Sequence, residues 1–209
     1  LRALTDASFQ VASIITTTGF STTDFDQWSG ACKTVLVLLM FIGACAGSTG
    51  GGIKVSRILI MFKSVVKEVH SYLHPNSVKK IKIEDKPVEH EVLRSTNVYL
   101  ITYICIFVVS CFIVSFDEHD LITNFTAVAA TINNIGPGLE LVGPIRNFSF
   151  FSSVSKFVLM FDMLAGRLEL FPLLLFFHPG IWKELLVSGH KKKVRQRELA
   201  KKLKSKVCK

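Results

Sequence analysis

Apolar residues along this chain fall into long blocks, and charge is confined to the gaps between them. Ser95 to Phe116 is 22 residues without a charged side chain. As helix, at about 1.5 Å per residue, it reaches roughly 33 Å, enough to cross a hydrocarbon core of about 30 Å. Thr34 to Ile53 is a second uncharged run, of 20 residues. Phe157 to Phe177 is a third block of spanning length, interrupted by Asp162, Arg167 and Glu169. Any one block suits the core helix of a soluble protein. Three within 209 residues predict an all-α integral membrane protein.

Between the blocks lie two apolar segments too short to span, from about Leu4 to Ile15 and from about Leu121 to Ile132. Each reaches about 18 Å as helix, the length of a re-entrant segment. Asp120, followed by Thr123 and Asn124, is a helix-start signal for the second. Each segment runs into small and polar residues and a glycine: Thr16-Thr17-Thr18-Gly19-Phe20 and Asn133-Asn134-Ile135-Gly136-Pro137. With Gly19 superposed on Gly136, Phe9 and Phe125 precede the glycine by ten and eleven positions. The run Gly50-Gly51-Gly52 follows the first glycine by 31 to 33 positions, and Gly166-Arg167 follows the second by 30 to 31. The layout predicts a repeated unit of outer helix, pore helix, filter loop and inner helix, carried by layout more than by matching side chains. Residues 1–66 form a partial unit, 67–94 a basic linker, 95–178 a complete unit and 179–209 a basic tail. The start at Leu1, without methionine or a signal-peptide layout, reads as a cut from a longer chain whose earlier units are missing.

Charge orients these elements. The net charge is +9, and twenty of the 25 Lys and Arg residues lie in Lys54–Arg94 and Lys183–Lys209. The stretches Leu1–Lys33 and Asp117–Lys156 together carry four basic and seven acidic residues. The positive-inside rule places both basic stretches in the cytoplasm, with the blocks Ser95–Phe116 and Phe157–Phe177 as the two crossings between them. The expectation is a multi-pass protein of the cytoplasmic (inner) membrane. The tail is read as a flank for anionic lipid or a cytoplasmic partner rather than for nucleic acid. The five cysteines show neither metal-site spacing nor a disulfide framework.

Irregular backbone at membrane depth is tolerated only where it is buried in protein or lines water. A short loop held by glycine after a half-length helix turns carbonyl oxygens inward. A ring of such oxygens replaces the hydration shell of an alkali cation, and the negative ends of both helix dipoles point the same way. Neither loop contains a carboxylate, which favours a monovalent ion. Ordinary glycine turns in extracellular loops are the plain alternative.

The residues also resemble a known family. Ser8 to Phe20, with Gly43-Ala44-Cys45-Ala46-Gly47-Ser48-Thr49-Gly50-Gly51-Gly52-Ile53-Lys54, looks like the third repeat of TrkH-type potassium transporters. Thr131 to Gly138, with Ala165-Gly166-Arg167-Leu168-Glu169, resembles the fourth. The resemblance implies four repeats around one pore, a homodimer and a cytoplasmic nucleotide-binding regulatory subunit. It implies that Gly19 and Gly136 are filter glycines, and that Thr17, Thr18, Asn134 and Ile135 supply oxygens to potassium. With fewer than two repeats, this chain holds about half a pore wall.

The resemblance also makes Gly47 to Gly52, with Ser48, Thr49 and Lys54, an intramembrane loop that obstructs the pore until it moves. Each interior helical glycine costs about 1 kcal/mol relative to alanine, so three in a row break a helix. Close packing through Gly43 and Gly47 is the alternative. A phosphate loop is excluded, because Ile53 precedes Lys54 and Val55 follows it. Arg167 is read as facing the pore or the glycine loop, with an ion pair to Asp162 or Glu169 as the alternative. His70 and His74 are read as a solvated face. No nucleophile–base set or organic-cofactor motif appears, so an enzyme is not expected. The functions weighed are potassium uptake through a channel-like pore, with sodium permeation open, and an ion-coupled carrier centred on Asp162 and Arg167. A non-transporting scaffold leaves the paired half-helices unexplained.

Overall fold

The computed structural model describes residues 2–43, 45, 48, 50–74, 81–83 and 86–167, all within one unit, Leu1–Leu170. Gly47, Thr49, Glu169, the end of the third apolar block and the basic tail lie outside the described residues. The elements are α1 (Arg2–Ile15), α2 (Gly30–Phe41), α3 (Val55–Leu73), a hairpin of β1 (Lys82–Ile83) and β2 (Lys86–Pro87), α4 (His90–Val114), α5 (Leu121–Ile132) and α6 (Ser153–Arg167). The hairpin, two residues per strand, lies in the stretch read from sequence only as a basic linker.

Helix α4 is the longest element: among the described residues, one helical stretch, His90–Asp117, is long and apolar enough to cross a membrane. One face turns outward with Ile101, Val108 and Phe112 all more than half exposed. Water would penalise such a face, and lipid would not. The opposite face packs on α5 and α6 through Val114, Phe107 and Cys111. Ser110 Oγ donates to Asp162 Oδ1 of α6 at 2.8 Å, with both residues buried.

Helix α5 starts where its cap residue dictates, with Asp120 accepting from the Ile122 N–H at 3.0 Å. It is buried almost all round, from Thr123 to Ile132 apart from half-buried Phe125. A short apolar helix can be this enclosed because α2, α4 and α6 all pack against it. Phe41 of α2, Phe107 of α4 and Phe125 of α5 meet with ring centroids 5.2 to 6.1 Å apart.

The block Thr34–Ile53, of spanning length in sequence, is not one helix. Helix α2 ends at Phe41, well before the glycine run. Ile42 pairs with Ile53 in a parallel bridge, and the Gly43 N–H donates to the Ile53 carbonyl at 2.9 Å. Gly43 is the reason the break comes early. A Cβ there would collide with the Gly51 carbonyl and lie 3.0 Å from that of Ile53, so the returning chain needs a glycine. Its space is taken by backbone rather than by a neighbouring helix, which replaces the small-residue packing considered for it.

Gly166 marks the closest approach of α6 to α5. A Cβ there would overlap the Ile132 carbonyl and lie 2.9 Å from Asn134 Nδ2. Gly166→Ala is therefore expected to destabilise the fold by about 1–3 kcal/mol despite alanine's better helix propensity. Thermal unfolding of the full-length parent in detergent measures this; an unchanged or raised melting temperature contradicts the packing described.

Candidate functional site

Helices α1 and α5 end in the same way. Thr17 and Asn134, two residues past each helix, are left-handed at φ 54° and 55°, and Gly19 and Gly136 follow at φ 79° and 107°. Both pairs are separated by 117 positions (17 and 134, 19 and 136). The hydrogen bonds coincide at that spacing. Thr17 N–H donates to Ile14 O at 3.1 Å, as Asn134 N–H does to Thr131 O at 3.0 Å. Thr18 N–H reaches Ser13 O, and Ile135 N–H reaches Ala130 O, both at 2.9 Å. These are Schellman caps, which satisfy the last helical carbonyls by reversing the chain through a left-handed residue. Asparagine tolerates that conformation, whereas threonine, β-branched, holds it under strain.

Side chains reinforce the match. Thr16 Oγ1 donates to Ala12 O at 2.7 Å, and Asn133 Nδ2, at the corresponding position, donates to Ala129 O at 2.8 Å. The loops then diverge. Ser13 Oγ ties the first back through Phe20 O at 2.6 Å, and Phe20 itself is largely exposed. In the second, Thr126 Oγ1 accepts from the Leu139 N–H at 3.1 Å, and Asn134 Nδ2 donates to Met163 O of α6 at 2.9 Å.

The two loops meet. A Cβ on Gly19 would collide with the Ile135 carbonyl and lie 3.4 Å from the Pro137 ring. Ile14, Ile135 and Leu139 share one apolar cluster with Phe25, Leu36 and Met40. Beyond the loops, Asp26 Oδ1 accepts from the Glu140 N–H at 3.2 Å, and Lys33 reaches Asp26 at 3.5 Å and Glu140 at 3.9 Å. Nothing in the sequence pairs these three residues; only the juxtaposition of the loops does.

The glycine segment lies against both helix ends. The Gly51 N–H donates to Thr17 Oγ1 at 3.4 Å. On the other side a Cβ on Gly51 would collide with the Asn133 carbonyl, and one on Gly52, at φ 77°, would lie 2.8 Å from Asn133 Oδ1. Lys54 closes the segment by donating from Nζ to the Ser48 carbonyl, and Gly50 N–H donates to Ser48 Oγ at 3.1 Å. Thr16 to Phe20, Asn133 to Pro137 and the described part of the glycine run thus converge. Arg167 is exposed at the last described turn of α6. Among the described residues the ion pair considered between Arg167 and Asp162 is not formed, because Asp162 turns to Ser110 instead. The His70 and His74 rings lie tilted to one another with centroids 4.9 Å apart, and no group of three metal-ligating side chains occurs among the described residues.

Residues 2–183 match the family model described as TrkH, cation transport protein. The chain belongs to this family. It is 40% identical over 184 residues to the Trk system potassium uptake protein TrkH of Salmonella typhimurium, spanning 88% of this chain and 38% of that protein. It is 31% identical over 175 residues to the Trk system potassium uptake protein TrkG of Escherichia coli, spanning 84% and 36%. The crystal structure of the potassium transporter TrkH from Vibrio parahaemolyticus superposes with a TM-score of 0.76 at 40% identity, over 85% of this chain and 37% of that one. The chain thus corresponds to under two-fifths of the TrkH relatives it matches, and its helical membrane architecture is theirs.

Sequence reasoning missed Tyr103 and Asn133 as partners. The Tyr103 hydroxyl donates to Asn133 Oδ1 at 2.9 Å, across 30 positions that carry no shared motif. The local geometry also separates the two loop glycines. Gly19 needs its left-handed dihedral and has no room for a Cβ, whereas the Gly136 Cβ position is open. Gly19→Ala is therefore expected to lower the yield of folded full-length protein more than Gly136→Ala, which carries the backbone penalty alone. Size-exclusion profiles and melting temperatures of the two variants decide this; equal losses contradict it.

Proposed function

We propose that this chain forms part of the wall of a pore carrying potassium into the cell across the cytoplasmic membrane. The loops after α1 and α5 act as filter loops and α4 as an outer helix. The observation that carries the reading is the matched pair of helix ends converging on one another, with the Schellman bonds and the left-handed residue at the same spacing in both. Two helix C-termini so placed direct partial negative charge at one locus. Carbonyls of Thr17, Thr18, Asn134 and Ile135 are the proposed potassium ligands, with Gly19 and Gly136 giving the chain room to present them. The names of the relatives, potassium uptake proteins, support the choice of ion.

The glycine segment, seated on both helix ends, acts as the gate, and Lys54 anchors its far side. The remaining pore wall belongs to repeats beyond this chain. A homodimer and a nucleotide-binding cytoplasmic subunit complete the assembly, with the basic stretches on the cytoplasmic side near anionic lipid.

One observation favours a second reading. Asp162 has no exposed surface, and its Oδ2 has no hydrogen-bond partner among the described groups, as a coupling-ion site in a carrier would require. Against this, Oδ1 is engaged by Ser110 within the helix packing. Potassium and sodium flux in liposomes containing the full-length parent separates the two. Gly136→Ser is expected to weaken potassium flux or admit sodium, and Asp162→Asn to leave selectivity unchanged. Flux indifferent to Gly136→Ser but altered in its ion coupling by Asp162→Asn sinks the pore reading.

A further inference from the structure

We propose that Tyr103 is a positioning residue that seats the glycine segment against the loop after α5, acting through the Asn133 side chain. The inference rests on the pore reading above and adds to it a coupling between filter loop and gate. Asn133 has no exposed surface and stands where three elements meet. Its Nδ2 is committed to the Ala129 carbonyl of α5 at 2.8 Å. Its Oδ1 accepts from the Tyr103 hydroxyl of α4 at 2.9 Å. The same Oδ1 and the Asn133 backbone carbonyl form the surface on which Gly52 and Gly51 lie, too close for a side chain at either glycine.

The two sides of this seat are unequal. Toward the loop after α1 the glycine segment is held by a long hydrogen bond, Gly51 N–H to Thr17 Oγ1 at 3.4 Å. Toward the loop after α5 it rests on a side chain whose amide is fixed at both ends. A buried tyrosine hydroxyl needs an acceptor, and Tyr103, 3% exposed, finds it in Asn133. With both amide atoms committed, Asn133 cannot turn when the segment leaves. The segment therefore meets a preformed surface when it returns, and Tyr103 sets the balance between seated and released states. The Asn134 backbone follows directly, so the same contact links the gate to the proposed potassium ligands. Tyr103 lies on α4 and its hydroxyl bonds to Asn133 rather than to a proposed ligand, so it acts on the equilibrium and not on the ion.

Single-channel recording from the full-length parent in planar bilayers tests this. Loss of one buried hydrogen bond changes an equilibrium by roughly threefold to tenfold. Tyr103→Phe, which keeps the ring, is expected to raise the open probability by about that factor, with unitary conductance and the potassium-to-sodium permeability ratio unchanged. Gly51→Ala, which crowds the Asn133 carbonyl, is expected to raise it too. The double variant should fall short of the product of the two effects, since both act on one seat. A merely structural tyrosine would reduce the number of active channels and leave the open probability of each alone; that result overturns the proposal, as does a changed permeability ratio in Tyr103→Phe. If Tyr103→Phe does not reach the bilayer, an unchanged open probability in Gly51→Ala overturns it, and a raised one upholds it. Gly136→Ser altering selectivity while Tyr103→Phe is silent removes the coupling and leaves the pore. A parent without potassium-selective current removes both.

Discussion

Helix α5 stops inside the protein, and its last carbonyls must be satisfied there. The surrounding structure answers that constraint. Asn134 reverses the chain in a left-handed conformation so that Asn134 N–H and Ile135 N–H cap Thr131 and Ala130. Asn133 turns its amide back to Ala129. Gly166 lets α6 approach the Ile132 carbonyl, and Asn134 fastens that helix through Met163 O. A helix end left bare in an apolar interior would lose several hydrogen bonds, each unmade one costing about 1–3 kcal/mol. Packing and capping are one arrangement here, which is why a glycine on α6 and an asparagine on a loop belong to the same site.

The functional proposal follows from what such an end offers. A capped C-terminus keeps its dipole, and the chain leaving it is free to show carbonyl oxygens to an ion without losing hydrogen bonds it needs. The second helix end, α1, arrives at the same place with the same backbone bonds, built from Thr17 where α5 uses Asn134. The glycine segment then lies across both ends. A gate in contact with the loops it controls needs no long-range relay, only a seat that is well or poorly held.

How much of this was legible in the sequence depends on whether a signal is local. The bounds of α5 follow from Asp120 at its start and the polar pair Asn133-Asn134 at its end, and the structure has the helix at those residues. The need for glycine at positions 19 and 136 follows from the short polar loops they close, and both have positive φ. Gly50 to Gly52 is the conspicuous run and marks a break in the helix, but the chain leaves the helix earlier, at Phe41. What decides that point is backbone close approach between Gly43 and Gly51, 8 positions apart in sequence, and no propensity encodes it. Ser110 with Asp162, Tyr103 with Asn133, and Asp26 with Glu140 are tertiary pairings that no local signal connects, even where one member stands out on its own. An ion pair with Arg167 is the visible alternative for Asp162 because charge shows in a sequence, whereas a buried serine 52 positions away on another helix does not.

Potassium, in the function proposed, is held by backbone carbonyls where the two helix ends converge. Crystals of the full-length parent grown with thallium in place of potassium test it most directly, since thallium mimics potassium and scatters anomalously. An anomalous peak is expected between the Thr17–Thr18 and Asn134–Ile135 carbonyls, lost when sodium replaces thallium. A peak at Asp162, with none between the loops, would contradict it.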